Sequence, residues 1–196
     1  MLINYVVKGP LNYFIIDNFY EPEELKIIKQ ELNELLPFIK KPKYTGAAKG
    51  KKKGLGLFLD DHYIKNRNES NILYANRKLF DTNFVNELKK FNCWYDHISY
   101  CNSDTTLINF YKDKDYYKSH HDANPLTAIT FFSIGTFKGG NFKLTEYDEE
   151  IECIENRMII FAGSLLHEAL PLEVEKDNYR VSMVQFCSYK PFKHKY

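Results

Sequence analysis

The sequence predicts a mainly β fold, a double-sheet jelly roll with helices packed outside its N-terminal side, and three observations carry that expectation. Beyond residue 93, short aromatic or β-branched stretches alternate with turn residues, as in Leu-Thr-Ala-Ile-Thr-Phe-Phe-Ser-Ile at residues 126–134. Before residue 93, apolar positions recur at the helical period instead. Fifteen Tyr and fifteen Phe supply side chains suited to a pleated, half-buried surface. Many short strands behind a helical segment close into two packed sheets.

Taken in order, residues 12–17, Asn-Tyr-Phe-Ile-Ile-Asp, read as a first strand. Glu21, Pro22, Glu23 and Glu24 place acidic side chains and a proline where a helix N-terminus accepts them. Leu25, Ile28, Leu32, Leu35 and Leu36 then share one face of an amphipathic helix that packs on a sheet. Residues 40–56, rich in Lys and Gly, bury little and read as a mobile loop. Such a loop is either a solvated linker or a lid that closes over substrate, and its lysines also suit phosphates. A short strand at residues 57–59, the polar Asp60, Asp61 and His62, a helical stretch through residues 71–80 and a helix at 83–91 follow. Strands are then expected at residues 94–100, 105–111, 116–119, 126–134, 141–147, 151–154, 158–161, 166–170 and 179–189. Lys138-Gly139-Gly140-Asn141 reads as a hairpin turn.

At 196 residues the chain has the length of one domain able to bury a substantial core. The expectation is a single domain over residues 1–196, with helical support over about 1–92 and the jelly-roll core over about 93–190. A net charge of +1 makes the protein no electrostatic trap for nucleic acid. Cys93, Cys101, Cys153 and Cys187 show no Cys-x-x-Cys spacing and are read as reduced. The start lacks a charged segment followed by a long apolar core, and no apolar run approaches membrane-spanning length. A soluble, cytoplasmic protein without a membrane partner is therefore expected; the oligomeric state stays open. Arginine is scarce, at Arg67, Arg77, Arg157 and Arg180, so an arginine inside an apolar strand is conspicuous.

The chemistry concentrates in residues 107–122, Leu-Ile-Asn-Phe-Tyr-Lys-Asp-Lys-Asp-Tyr-Tyr-Lys-Ser-His-His-Asp. His120 and Asp122 are two positions apart, so on a strand they point to one face and converge on one cation. A third ligand must come from elsewhere, and His167 is the candidate. Two imidazoles and a carboxylate on one side of a metal, with the opposite positions open, suit non-haem Fe(II) oxygenases. His121, between the first two, faces away by strand alternation. His62 and His97 have no partner at ligand spacing.

The ordered set Asn109-x-Tyr111, His120-x-Asp122, Gly139-Gly140, His167 and Tyr179-Arg180-Val181-Ser182 resembles the Fe(II)- and 2-oxoglutarate-dependent dioxygenases, most of all their prolyl 4-hydroxylase-like branch, over roughly residues 11 to 190. The resemblance implies iron held by His120, Asp122 and His167, with 2-oxoglutarate and O2 as cosubstrates. It also implies Arg180 on the far carboxylate of 2-oxoglutarate, with Tyr111, Asn109 and Ser182 beside it, and ascorbate as a reductant. In halogenating relatives the acidic ligand is a small residue; here Asp122 fills the position, which points to hydroxylation. The implied substrate is a peptidyl proline.

The stretch from His167 to Arg180 is longer than in that branch, a difference that a turn around Glu175 to Asn178 would absorb, and Lys143 is the outside candidate for the cosubstrate's cation. Asn109-x-Tyr111 and His120-x-Asp122 resemble the AlkB-type nucleic-acid demethylases as well. Those carry a second arginine six residues after the first, where this chain has Phe186. A nucleic-acid partner is accordingly not expected; a small-molecule hydroxylase is the other alternative.

Overall fold

The computed structural model describes residues 1–41, 50–64 and 66–189. In chain order, β1 (Leu2–Val6) and β2 (Tyr13–Asp17) precede helix α1 (Pro22–Leu35). Then come β3 (Lys52–Lys53), β4 (Leu55–Phe58), and helices α2 (Leu59–His62), α3 (Asn71–Ala75), α4 (Thr82–Phe91) and α5 (His97–Tyr100). Next are β5 (Ser103–Tyr111), β6 (Tyr116–His120), β7 (Leu126–Ile134), β8 (Phe137–Gly139) and β9 (Phe142–Leu144). The described chain closes with β10 (Glu149–Ile151), β11 (Met158–Ala162), β12 (His167–Ala169), β13 (Leu172–Val174) and β14 (Tyr179–Ser188). The larger sheet has the order β1-β2-β11-β7-β14-β5-β4, the smaller β10-β9-β12-β6-β3, and β13 pairs with β8. This is the expected mainly β jelly roll.

The pleat of the larger sheet sorts its side chains into two populations. Ile108 and Phe110 of β5, Ala128 and Phe132 of β7, and Val181 and Met183 of β14 pack outward against the helices, in one cluster with Ile28, Leu32, Ile72 and Leu88. Their neighbours Ile129, Phe131 and Val184 face inward and join Phe142, Leu144 and Phe161. The inward face of the same strands also carries Asn109, Tyr111, Arg180 and Ser182, which line a cavity. Polar residues on the inward face of buried strands mark the part of the sheet given over to a ligand.

Helix α1 starts as expected. Its Glu24 carboxylate accepts from the backbone N–H of Glu21 at 2.8 Å, which completes a capping box. Its buried Glu31 accepts from Tyr63 Oη, Ser70 Oγ and the Ile72 N–H at 2.8, 2.6 and 2.9 Å. A buried carboxylate with three donors is satisfied, and it ties α1 to the start of α3.

Four expectations need correction. The strand at residues 12–17 is the second, since β1 precedes it and pairs with it antiparallel. Residues 94–100 are helical: Asn92 Oδ1 caps the Trp94 N–H at 2.9 Å, and Tyr95 and Ile98 are buried three apart, which is helical spacing. Gly139 and Gly140, both at φ +68, make a turn that joins two sheets rather than a hairpin, because β8 pairs with β13 while β9 pairs with β10 and β12. Within residues 40–56, Lys40 bridges to Gly56, β3 pairs with β6, and β4 pairs with β5. This stretch therefore carries a link between the free edges of the two sheets; residues 42–49 lie outside the described residues. The stretch before residue 93 thus supplies strands to both sheets as well as helices.

Candidate active site

The smaller sheet brings the three predicted ligands together. His167 at the start of β12 is the register partner of His120 at the end of β6. Asp122 lies just past β6, where its N–H donates to Gly163 O at 2.9 Å and its Oδ2 accepts from Thr127 Oγ1 at 2.7 Å. Ligand atoms of all three fall within 4.8 Å of one another. The Nε2 atoms of His120 and His167 stand 3.8 and 3.6 Å from the two Asp122 oxygens. Donors roughly 2.1 Å from one metal stand roughly 3 to 4 Å apart on a shared face, so the spacing fits three ligands of one ion.

Each imidazole is held by the same device. His120 Nδ1–H donates to Lys118 O and His167 Nδ1–H to Leu165 O, both at 2.9 Å and both two residues back. That leaves Nε2 as the free lone pair, the tautomer a metal needs. Burial pushes both imidazoles down to about 4, helped at His120 by the neighbouring His167, so they are neutral at pH 7. Burial raises the Asp122 carboxyl while the Thr127 hydroxyl opposes it. Tyr117 stacks on His120 with ring centroids 3.6 Å apart, and Phe161 packs on the His167 ring at 4.9 Å. His121 is exposed and bonds to Ser164 O, outside the converging set.

Across the cavity the larger sheet presents the second group. Arg180 of β14 lies opposite Tyr111 of β5, and Ser182 opposite Asn109. Arg180 is 1% exposed, its Nη1 donates to Gly140 O, and its guanidinium carbon lies 4.2 Å from the Tyr111 ring centroid. Among the described residues its Nε has no hydrogen-bond partner and no carboxylate pairs with it. A buried guanidinium without an anion is costly unless a ligand supplies one. Lys143 is elsewhere, on β9 and paired with Asp148 at 2.6 Å. The extra residues before Arg180 form β13 and a turn closed by Asn178 N–H to Glu175 O, with Asp177 left-handed at φ +64.

The triad and Arg180 line one cavity of about 700 Å³, whose wall also includes Leu107, Val184, Phe186 and the exposed Phe58. One lining residue escaped the sequence reading. Lys52, among several lysines, reaches in from β3 and donates to Asn109 Oδ1; burial pushes its ammonium down to about 8.

No protein-family model matches the chain, and no curated protein matches it by sequence. Solved structures do match in fold. A Pseudomonas putida prolyl-4-hydroxylase aligns with TM-score 0.64 at 10% identity, over 91% of this chain and 93% of that one. The viral collagen prolyl hydroxylase of Paramecium Bursaria Chlorella virus-1, in complex with 2OG, gives 0.58 at 13% over 90% and 96%. NgTET1 in complex with 5mC DNA gives 0.51 at 14% over 91% and 72%. The chain therefore shares the fold of 2-oxoglutarate and Fe(II) oxygenases.

Proposed function

We propose that this protein is an Fe(II)- and 2-oxoglutarate-dependent oxygenase that hydroxylates a C–H bond of a peptidyl proline. One observation carries the reading: two neutral imidazoles and a carboxylate converge on one sheet and face, across a single cavity, a buried arginine that no carboxylate pairs among the described residues. The donor set fits a facial site for Fe(II), with His120, Asp122 and His167 as the ligands. Bound there, the iron supplies O2 activation, and the overall change is substrate C–H, O2 and 2-oxoglutarate to C–OH, succinate and CO2.

The chain's own residues bind, orient and exclude. Arg180 offers Nε and its terminal nitrogens to the far carboxylate of 2-oxoglutarate, with Tyr111 and Ser182 alongside. The Thr127 hydroxyl fixes the Asp122 carboxylate, and the Gly163 carbonyl fixes the Asp122 backbone N–H. The apolar walls at Leu107, Ile129, Val184 and Phe186 exclude water and suit an apolar ring such as that of proline. Phe186 also removes the positive charge that a nucleic-acid or second carboxylate contact would need there, which favours a peptide.

Two measurements test this. Anaerobic protein given Fe(II) and 2-oxoglutarate should develop a weak visible charge-transfer band, and proline-containing peptides should gain one oxygen by mass spectrometry with matching succinate. Lack of the band would reject the cosubstrate reading. A band together with oxygen gain only on another residue or a nucleobase would replace the proline assignment.

A further inference from the structure

Arg180 is not the only lone cation in the cavity wall. Lys52 is 8% exposed, and among the described residues no carboxylate pairs with it. Its neighbour Lys53 takes Asp115 at 3.3 Å, outside the cavity. The Lys52 ammonium stands 5.9 Å from the Tyr111 centroid, the ring that Arg180 approaches at 4.2 Å. It stands 5.5 Å from the centroid of Tyr117, which in turn stacks on His120. The contacts thus run Arg180, Tyr111, Lys52, Tyr117, His120. In this order of contacts Lys52 falls between the buried arginine and the triad.

We propose that Lys52 is a second cationic contact for the dicarboxylate cosubstrate, taking the carboxylate of its 2-oxo-acid end while Arg180 takes the other. The assignment rests on the 2-oxoglutarate reading given above. A dicarboxylate brings two negative charges into a wall whose two cations have no carboxylate at ion-pair distance among the described residues, Asp115 acting on Lys52 only from farther off, so each buried charge gains a direct partner when the ligand is present. The placement on β3 adds a structural link, because this strand belongs to the smaller sheet while its Lys52 ammonium donates to the Asn109 amide of the larger one.

Calorimetry on anaerobic Fe(II)-loaded protein tests it with two ligands titrated to saturation. These are 2-oxoglutarate and 2-oxobutyrate, which keeps the 2-oxo-acid end and lacks the far carboxylate. Failure of the wild type to bind 2-oxoglutarate would reject the underlying reading whatever Lys52 does. Given that binding, Lys52→Met and Lys52→Gln should weaken both acids by the same factor, on the order of tens to hundreds. Arg180→Ala should weaken 2-oxoglutarate and leave 2-oxobutyrate as in the wild type. Without ligand, Lys52→Met should melt at or above the wild-type temperature, since it removes a buried charge whose desolvation outweighs the attraction of Asp115. Wild-type affinity for both acids in the Lys52 variants, or a loss confined to 2-oxoglutarate, would overturn the assignment. So would a clear drop in the ligand-free melting temperature of both variants, which would make Lys52 a structural residue.

Discussion

Arg180 and Lys52 show how differently two cations read in sequence and in space. Arg180 was legible, because a scarce arginine inside an apolar strand has no solvent to reach; Lys52 was not, because it sits among other lysines and its burial depends on β3 finding the edge of β6. Truncating Arg180 to Ala leaves the far carboxylate unpaired, at a cost of about 2 to 5 kcal/mol, so 2-oxoglutarate affinity should fall on the order of tens to thousands of fold. Arg180→Lys should recover only part of it, since an ammonium lacks the planar fork. Iron affinity measured alongside should not move. Lys52 also predicts a pH dependence. Its folded value, about 8, lies below the usual 10.5, so the unfolded chain holds the proton more tightly and charged Lys52 opposes folding. That cost is fully present below about pH 8 and fades as pH rises toward 10.5. The stability gap between ligand-free Lys52→Met and wild type should therefore be on the order of 3 kcal/mol at pH 7 and close above pH 8; a gap independent of pH would contradict the buried-charge account.

At the scale of elements, the proposed metal ligands depend on a glycine that is not one of them. A Cβ on Gly163 would lie 2.0 Å from Asn124 O and 3.3 Å from Asp122 Cβ, so the link after β11 and the turn after β6 can touch only because residue 163 has no side chain. Gly163→Ala should push the 122–124 turn away from its partners and lower Fe(II) affinity at least tenfold, with each ligand still present. An unchanged metal titration would show that the turn yields without moving Asp122. His120-x-Asp122 was readable for the opposite reason, a strand period of two needing no tertiary information. Residues 94–100 were misread because Trp, Tyr and Ile serve a helix packed on a sheet as well as a strand; the deciding signals were Asn92 as a cap and the i, i+3 spacing of Tyr95 and Ile98. The turn expected around Glu175 to Asn178 is present, but β13 before it went unread because it is three residues long and pairs with the equally short β8.

At the scale of the whole molecule, ligand-free protein should be sensitive to mild acid. Buried His120 and His167 titrate near 4 when folded against about 6.5 when unfolded. The unfolded chain therefore takes up protons first, and the stability these neutral imidazoles contribute is present above pH 6.5 and lost as pH falls toward 4. Asp122, raised by its burial, works in the opposite sense. Melting temperatures of the metal-free wild type should fall through this window by the equivalent of a few kcal/mol, on the order set by two shifted groups. A variant with His120→Gln and His167→Gln should lose most of that slope; a slope equal to wild type would place the acid sensitivity elsewhere. The jelly roll itself was legible from period and composition, whereas the contribution of β1, β3 and β4 was not, since two- to five-residue strands without alternation become strands only when a sheet edge receives them.

That last link between the sheets bears on traffic through the protein. β3 and β4 tie one side of the two sheets together and Arg180 is only 1% exposed, so in the proposed reaction exposed Phe58 and half-buried Phe186, both in the cavity lining, form the peptide's doorway. A peptide seated over the iron stands in that doorway. In the proposed reaction 2-oxoglutarate must then board before the peptide, and succinate must disembark after the hydroxylated product, so succinate should compete with 2-oxoglutarate in steady-state kinetics and never with the peptide.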